Sequence, residues 1–134
     1  MKFAMIFVAV ALSAGAAKAD CPDTEVLCHS MHTMSSELAC LSGTAKPGVK
    51  CDSDINEATG LKATSKTARA AIEGDKEFAP DAATVAAIDA TFDKLDMAID
   101  HLILAVTAGD ASAKATSLAE VIAVKKQGHM DFNK

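Results

Sequence analysis

The chain has no tryptophan and no tyrosine, and its 134 residues include only five phenylalanines and three prolines. Its core must therefore come from Ala, Val, Leu, Ile and Met, small or flexible side chains that favour close packing of helices. No alternating run of β-branched residues competes with a helical reading. A Ser/His/Asp order, a catalytic carboxylate pair and a Gly-rich phosphate loop are all missing, so the sequence does not read as an enzyme. Basic residues are also in deficit: thirteen Lys and Arg stand against eighteen Asp and Glu. Such a chain repels nucleic acid and anionic membrane, while a cationic protein partner remains compatible with it.

Long apolar runs are absent except at the start. Lys2 followed by the apolar residues 4–12 and the Ala17-Lys18-Ala19 triplet has the form of a signal peptide cleaved after Ala19. The run is too short for a membrane span, so no membrane insertion is expected. Removing residues 1–19 takes away two lysines and leaves 115 residues, with eleven basic against eighteen acidic side chains and a net charge of −7. Residues 20–134 are thus expected to be one small exported domain, in the periplasm.

The four cysteines, Cys21, Cys28, Cys40 and Cys51, suit an oxidising compartment and allow three pairings. Cys40 and Cys51 flank a Gly/Pro loop between two helices, which favours Cys40–Cys51 and leaves Cys21–Cys28. The second pair requires residues 21–28 to fold as a turn, because seven residues of continuous helix separate Cα atoms by roughly 10 Å. No CxxC occurs. The covalent haem-attachment pattern CxxCH fails as well, since Glu25 takes the place of its first cysteine before Cys28-His29.

Four amphipathic segments follow one another. The first carries Leu27, Met31, Met34, Leu38 and Leu41 and ends at Ser42-Gly43. Asp54 with Glu57 has the form of an acidic capping box for the second, whose inner face is thin: Ala58, Leu61, Ser65, Ala68 and Ile72. Pro80 suits the first turn of the third. There Val85, Ile88, Phe92, Leu95, Ile99, Leu102 and Val106 alternate spacings of three and four residues. Gly109 ends that helix and Asp110 caps the fourth. Its expected stripe is Ala115, Leu118, Ile122, Lys125 or Lys126, and His129. Short connections make this an all-α, antiparallel, up-down-up-down four-helix bundle.

In such a bundle the start of the first helix lies beside the end of the fourth. Met31 and Met34 therefore approach His129, and Phe92 has the type to lie against a flat ligand. Thioether and imidazole both ligate haem iron, and together they raise its reduction potential. By pattern alone methionines at helical spacing are more often core fillers, and a histidine near a chain end is more often just polar. Met97, His101 and Leu104 form a second strip on the third helix, which reads as an exposed flank. A different chemistry is offered by residues 28–34, where Cys28, His29, His32 and Met34 are soft and imidazole donors suited to copper. On a helix these donors point in different directions and do not form one convergent site.

Residues 88–129 resemble the second half of the cytochrome b562 family of small periplasmic b-type haem proteins. The resemblance is carried by Phe92-Asp93-x-Leu95, Ile99-Asp100, the Gly109 turn, and an Ala-rich last helix ending in His129, with Phe132 three places on. At the front, Met31-x-x-Met34-x-x-x-Leu38 is similar to the family's ligand motif Met-x-x-Leu-x-x-x-Leu. The resemblance implies one non-covalent haem b with Met31, rather than Met34, and His129 as axial ligands. It further implies single-electron transfer with a redox partner protein, in a monomer or weak dimer. Two positions depart from the family: Lys125 replaces an arginine one turn before the histidine, where it could reach a haem propionate, and Gly128 replaces a tyrosine.

Overall fold

The computed structural model describes residues 25–132, which form four helices and no strand. They are α1 (Val26–Ser42), α2 (Asp54–Glu73), α3 (Ala82–Ala108) and α4 (Ala111–Phe132). The expected signal segment, residues 1–19, lies outside the described residues. Among the described residues no helix is long and apolar enough to cross a membrane.

Helix boundaries follow local chemistry. The first stop is Gly43, which adopts a left-handed φ of 74° while the N–H groups of Gly43 and Thr44 return to Cys40 and Ala39. Gly109 repeats the device at the end of α3 with φ 68°. At the start of α2 the capping residue is Ser53, not Asp54: its hydroxyl accepts from the Asn56 N–H at 3.3 Å. Glu57 reaches back past the cap to the Asp52 N–H at 2.8 Å, so the expected Asp54/Glu57 box does not form and Ser53 caps the helix instead. Pro80 likewise stands outside α3, because Asp81 is the cap and accepts from Thr84 at 2.7 Å.

Consecutive helices pack on one another, and cross-links fix their antiparallel sense. Between α2 and α3, Lys62 pairs with Asp100 while Arg69, further along α2, pairs with Asp89 and Asp93, earlier in α3. Between α3 and α4, His101 meets Glu120, and Gly128 lies against Thr91. Cys40 and Cys51 are joined across the α1–α2 loop with Cα atoms 5.5 Å apart, as expected. Cys28 sits inside the first turn of α1 rather than in a preceding turn, and its expected partner Cys21 lies outside the described residues.

The expected inner faces of α1, α2 and α3 are the faces that pack. All five residues assigned to α2's thin face are buried, small side chains included. Leu41, Leu61, Ile99, Leu102 and Val121 are the largest fully buried side chains. In α4 the stripe is shifted. Val121 is wholly enclosed and Val124 packs on the core, whereas Ile122 is 45% exposed and Ala115 faces solvent. Alanine on every side of α4 makes its apolar direction weak, and Val121-Ile122 leaves one position of ambiguity. The α1–α4 seam is the most sparsely packed of the adjacent pairs.

Candidate functional site

Because the helices alternate in direction, one end of the bundle gathers the start of α1, the end of α2, the start of α3 and the end of α4. A cleft opens there. Met31 and Met34 come from α1, Ile72 from α2, Ile88, Thr91, Phe92 and Leu95 from α3, and Val124, Lys125, Gly128 and His129 from α4. The cavity itself measures about 60 Å³, within some 580 Å³ of unfilled space that includes its open mouth. Its walls are apolar; the polar groups among them are those of Thr91, Lys125 and His129.

Each lining residue is placed by a local rule. Met31 and Met34 fall three positions apart on the buried face of α1, where each is less than a tenth exposed. Phe92 and Leu95 repeat that spacing on α3. On α4, Lys125 and His129 are one turn apart and both line the cleft, whereas Lys126 is exposed. Gly128 lets α4 come close to α3: a Cβ there would lie 3.3 Å from the Thr91 methyl carbon. A side chain at this position would press on that methyl group.

Electrostatics sharpen the polar side. Burial pushes the Lys125 ammonium below its ordinary pKa, and its Nζ finds the Ser35 hydroxyl at 3.5 Å. The His129 imidazole is held below its usual value, first by burial and then by the charge of Lys125. A lowered value keeps the ring neutral at neutral pH, the form in which imidazole acts as a metal ligand. Met31 and Met34 of α1 and His129 of α4 thus line one apolar cleft.

Met31, Phe92, Lys125 and His129, each singled out in the sequence, all line this one cavity. Ile72, Thr91 and Val124 were not foreseen as lining residues, and nothing in their sequence context marked them beyond helical spacing. The copper donors do not gather. Cys28 is buried, His29 is exposed, His32 is half-buried with an Nε2 that has no hydrogen-bond partner, and Met34 looks into the cleft. Among the described residues, the group of His, Cys, Asp and Glu that converges within 4.8 Å is Cys40, Cys51 and Glu57. Its two sulfurs are bonded to each other and not available as thiolates. Met97 and Leu104 are 61% and 68% exposed and His101 meets Glu120, so that strip is the outer flank it was expected to be.

A second polar site escaped the sequence reading. Glu37 of α1 is buried against α2, where its Oε2 occupies the space a side chain at Gly60 would need, and its Oε1 has no partner. Desolvation pushes its carboxyl up to about 7; the Thr64 hydroxyl opposes this and the like charge of Glu57 adds to it. The signal available in the sequence was Gly60, a glycine in a helix interior, where it costs stability unless something approaches closely.

Comparisons with family models, curated proteins and solved structures give no match for this chain.

Proposed function

We propose that the cleft holds one non-covalent haem b, with Met31 and His129 as axial ligands, and that the chain carries single electrons as an exported, periplasmic protein. The convergence of Met31, Phe92, Lys125 and His129 on one apolar cavity carries this reading. The donor set fits the group: one thioether, one imidazole held neutral, and apolar walls that exclude water from an iron centre. When bound, the haem supplies a one-electron iron couple, raised in potential by the His/Met ligand pair.

The protein's own residues do the rest. Met31 and Met34 come from the same buried face, but their places along α1 differ by about one turn. The family motif selects Met31, leaving Met34 as wall. Phe92 offers a flat apolar surface from α3, and Lys125 at the rim offers a cation to a haem carboxylate. A tetrapyrrole is larger than the 60 Å³ cavity, so seating one requires side chains to part. The thinly packed α1–α4 seam, which carries both proposed ligands, is where that parting costs least.

Titration of the purified protein with haemin, followed by absorption, tests the reading. The expected result is a sharp Soret band saturating at one haem per chain, lost or strongly shifted in His129→Ala. A titration with no saturating band, or one indifferent to His129, overturns it.

A further inference from the structure

The connection between α1 and α2 gathers more than a cross-link at the end of the bundle remote from the cleft. The chain leaves α1 at Gly43 and returns, so that Cys51 stands beside Cys40 of the last turn of α1 with Cα atoms 5.5 Å apart. Glu57 approaches the same spot from the first turn of α2. Its Oε2 accepts from the N–H of Asp52, the residue next to Cys51, at 2.8 Å. That bond ties the carboxylate to the loop and leaves Oε1 outside it. One donor atom from each of Cys40, Cys51 and Glu57 lies within 4.8 Å of the other two.

We propose that Cys40, Cys51 and Glu57 form a zinc site that becomes available when the disulfide is reduced. Access to the bond is given by exposure: Cys51 faces solvent and Cys40 is half-buried. A dithiol reductant attacks the Cys51 sulfur and frees that of Cys40. Its second thiol then displaces the first, so that it leaves as its own disulfide, and two electrons have made Cys40 and Cys51 thiols. A zinc ion replaces the two thiol protons, which pass to solvent, and takes a carboxylate oxygen of Glu57. The donor set selects the metal. Zinc accepts sulfur and oxygen together, whereas calcium and magnesium take oxygen. Zinc also has no redox chemistry of its own, so it holds both sulfurs reduced. Tetrahedral zinc with Zn–S bonds of about 2.3 Å puts its sulfurs roughly 3.8 Å apart. Cysteines with Cα atoms 5.5 Å apart reach that spacing by side-chain rotation. The fourth position is left to water. The loop is then tied at the same two points in either state, by the sulfur–sulfur bond or through the metal. An oxidising compartment keeps the bond closed until a reductant arrives. None of these residues lines the cleft, so the proposal is independent of what the cleft binds.

Cobalt(II) serves as a coloured probe of the zinc site in the full chain, reduced with dithiothreitol and freed of it under argon. The reduced protein should bind one equivalent with a thiolate-to-cobalt charge-transfer band, which zinc chloride abolishes, and the oxidised protein should show no band. The paired Cys40→Ser, Cys51→Ser variant should lose it. Cys28→Ala, at the other end of α1, should keep it. Glu57→Gln retains an oxygen to accept from Asp52 and should weaken binding by about tenfold or more, the scale of losing even an outer-shell partner. Zinc should raise the urea midpoint of the reduced protein, followed by circular dichroism, and leave that of the oxidised protein unchanged. A reduced parent with no charge-transfer band, a band that persists in the paired variant, or an affinity indifferent to Glu57→Gln overturns the proposal. A reduced chain that loses its helices and does not regain them with zinc overturns it as well.

Discussion

Glu37 places a titration near neutrality inside the α1–α2 interface. Its folded-state value lies at about 7, above the ordinary 4.5, so the folded protein holds this proton more tightly than the unfolded chain does. Its contribution to stability is therefore full at and below pH 4.5, falls as pH rises towards 7, and levels off above it. Glu37→Gln keeps the shape and removes the charge. The variant should lose this slope and be more stable than the parent at pH 8 by about 1–3 kcal/mol, measured by urea unfolding across pH. A slope unchanged in the variant would show that Glu37 ionises without cost. His129 acts in the opposite direction. Its proton is disfavoured in the fold, so its contribution is full above the ordinary imidazole value of 6.5 and diminishes as pH falls below it. Imidazole resonances followed by NMR should show His129 titrating below the ordinary imidazole value of 6.5; a value at or above it contradicts the burial argument.

At the scale of the helix, the closing devices are testable one by one. The Cys40–Cys51 bond spans a sequence separation of 11, and removing a cross-link over a loop of that length should cost about 3 kcal/mol. A paired Cys40→Ser, Cys51→Ser variant with unaltered urea stability would mean that the loop is held by other contacts. Ser53→Ala removes the hydroxyl that accepts from Asn56 and should cost about 1 kcal/mol. The helices also show what a sequence can and cannot disclose. The faces of α1, α2 and α3 were legible because Leu, Met, Ile and Phe recur on one side and polar residues on the other. In α4, alanines all round and the adjacent pair Val121-Ile122 left the direction open by one position, and packing against α3 decided for Val121. Phe78 and Ala79 are buried although they sit in the α2–α3 connection, where no periodicity exists to betray them. Glu37 was hidden for a different reason: its burial depends on the absence of a side chain at Gly60, on another helix.

For the whole molecule, the decisive feature is that the start of α1, the two helix ends joined by the α2–α3 loop and the end of α4, three regions far apart in sequence, meet at one end of the bundle. That meeting was legible in outline, because short loops and antiparallel helices bring the start of α1 to the end of α4. The walls of the cleft and the enclosure of Lys125 were not, since both depend on how α4 rotates and how closely Gly128 lets it approach Thr91. The other end of the bundle carries the Cys40–Cys51 cross-link, whereas the cleft draws lining residues from α1 and α4, the sparsely packed pair. The account is tested most directly by the reduced-minus-oxidised absorption spectrum of the haemin-loaded protein, compared with Met31→Ala, Met34→Ala and His129→Ala. It predicts the sharp bands of a six-coordinate low-spin haem in the parent and in Met34→Ala, and their loss in the other two variants. Bands that persist without Met31 and without His129, or a parent protein that shows none, would contradict it.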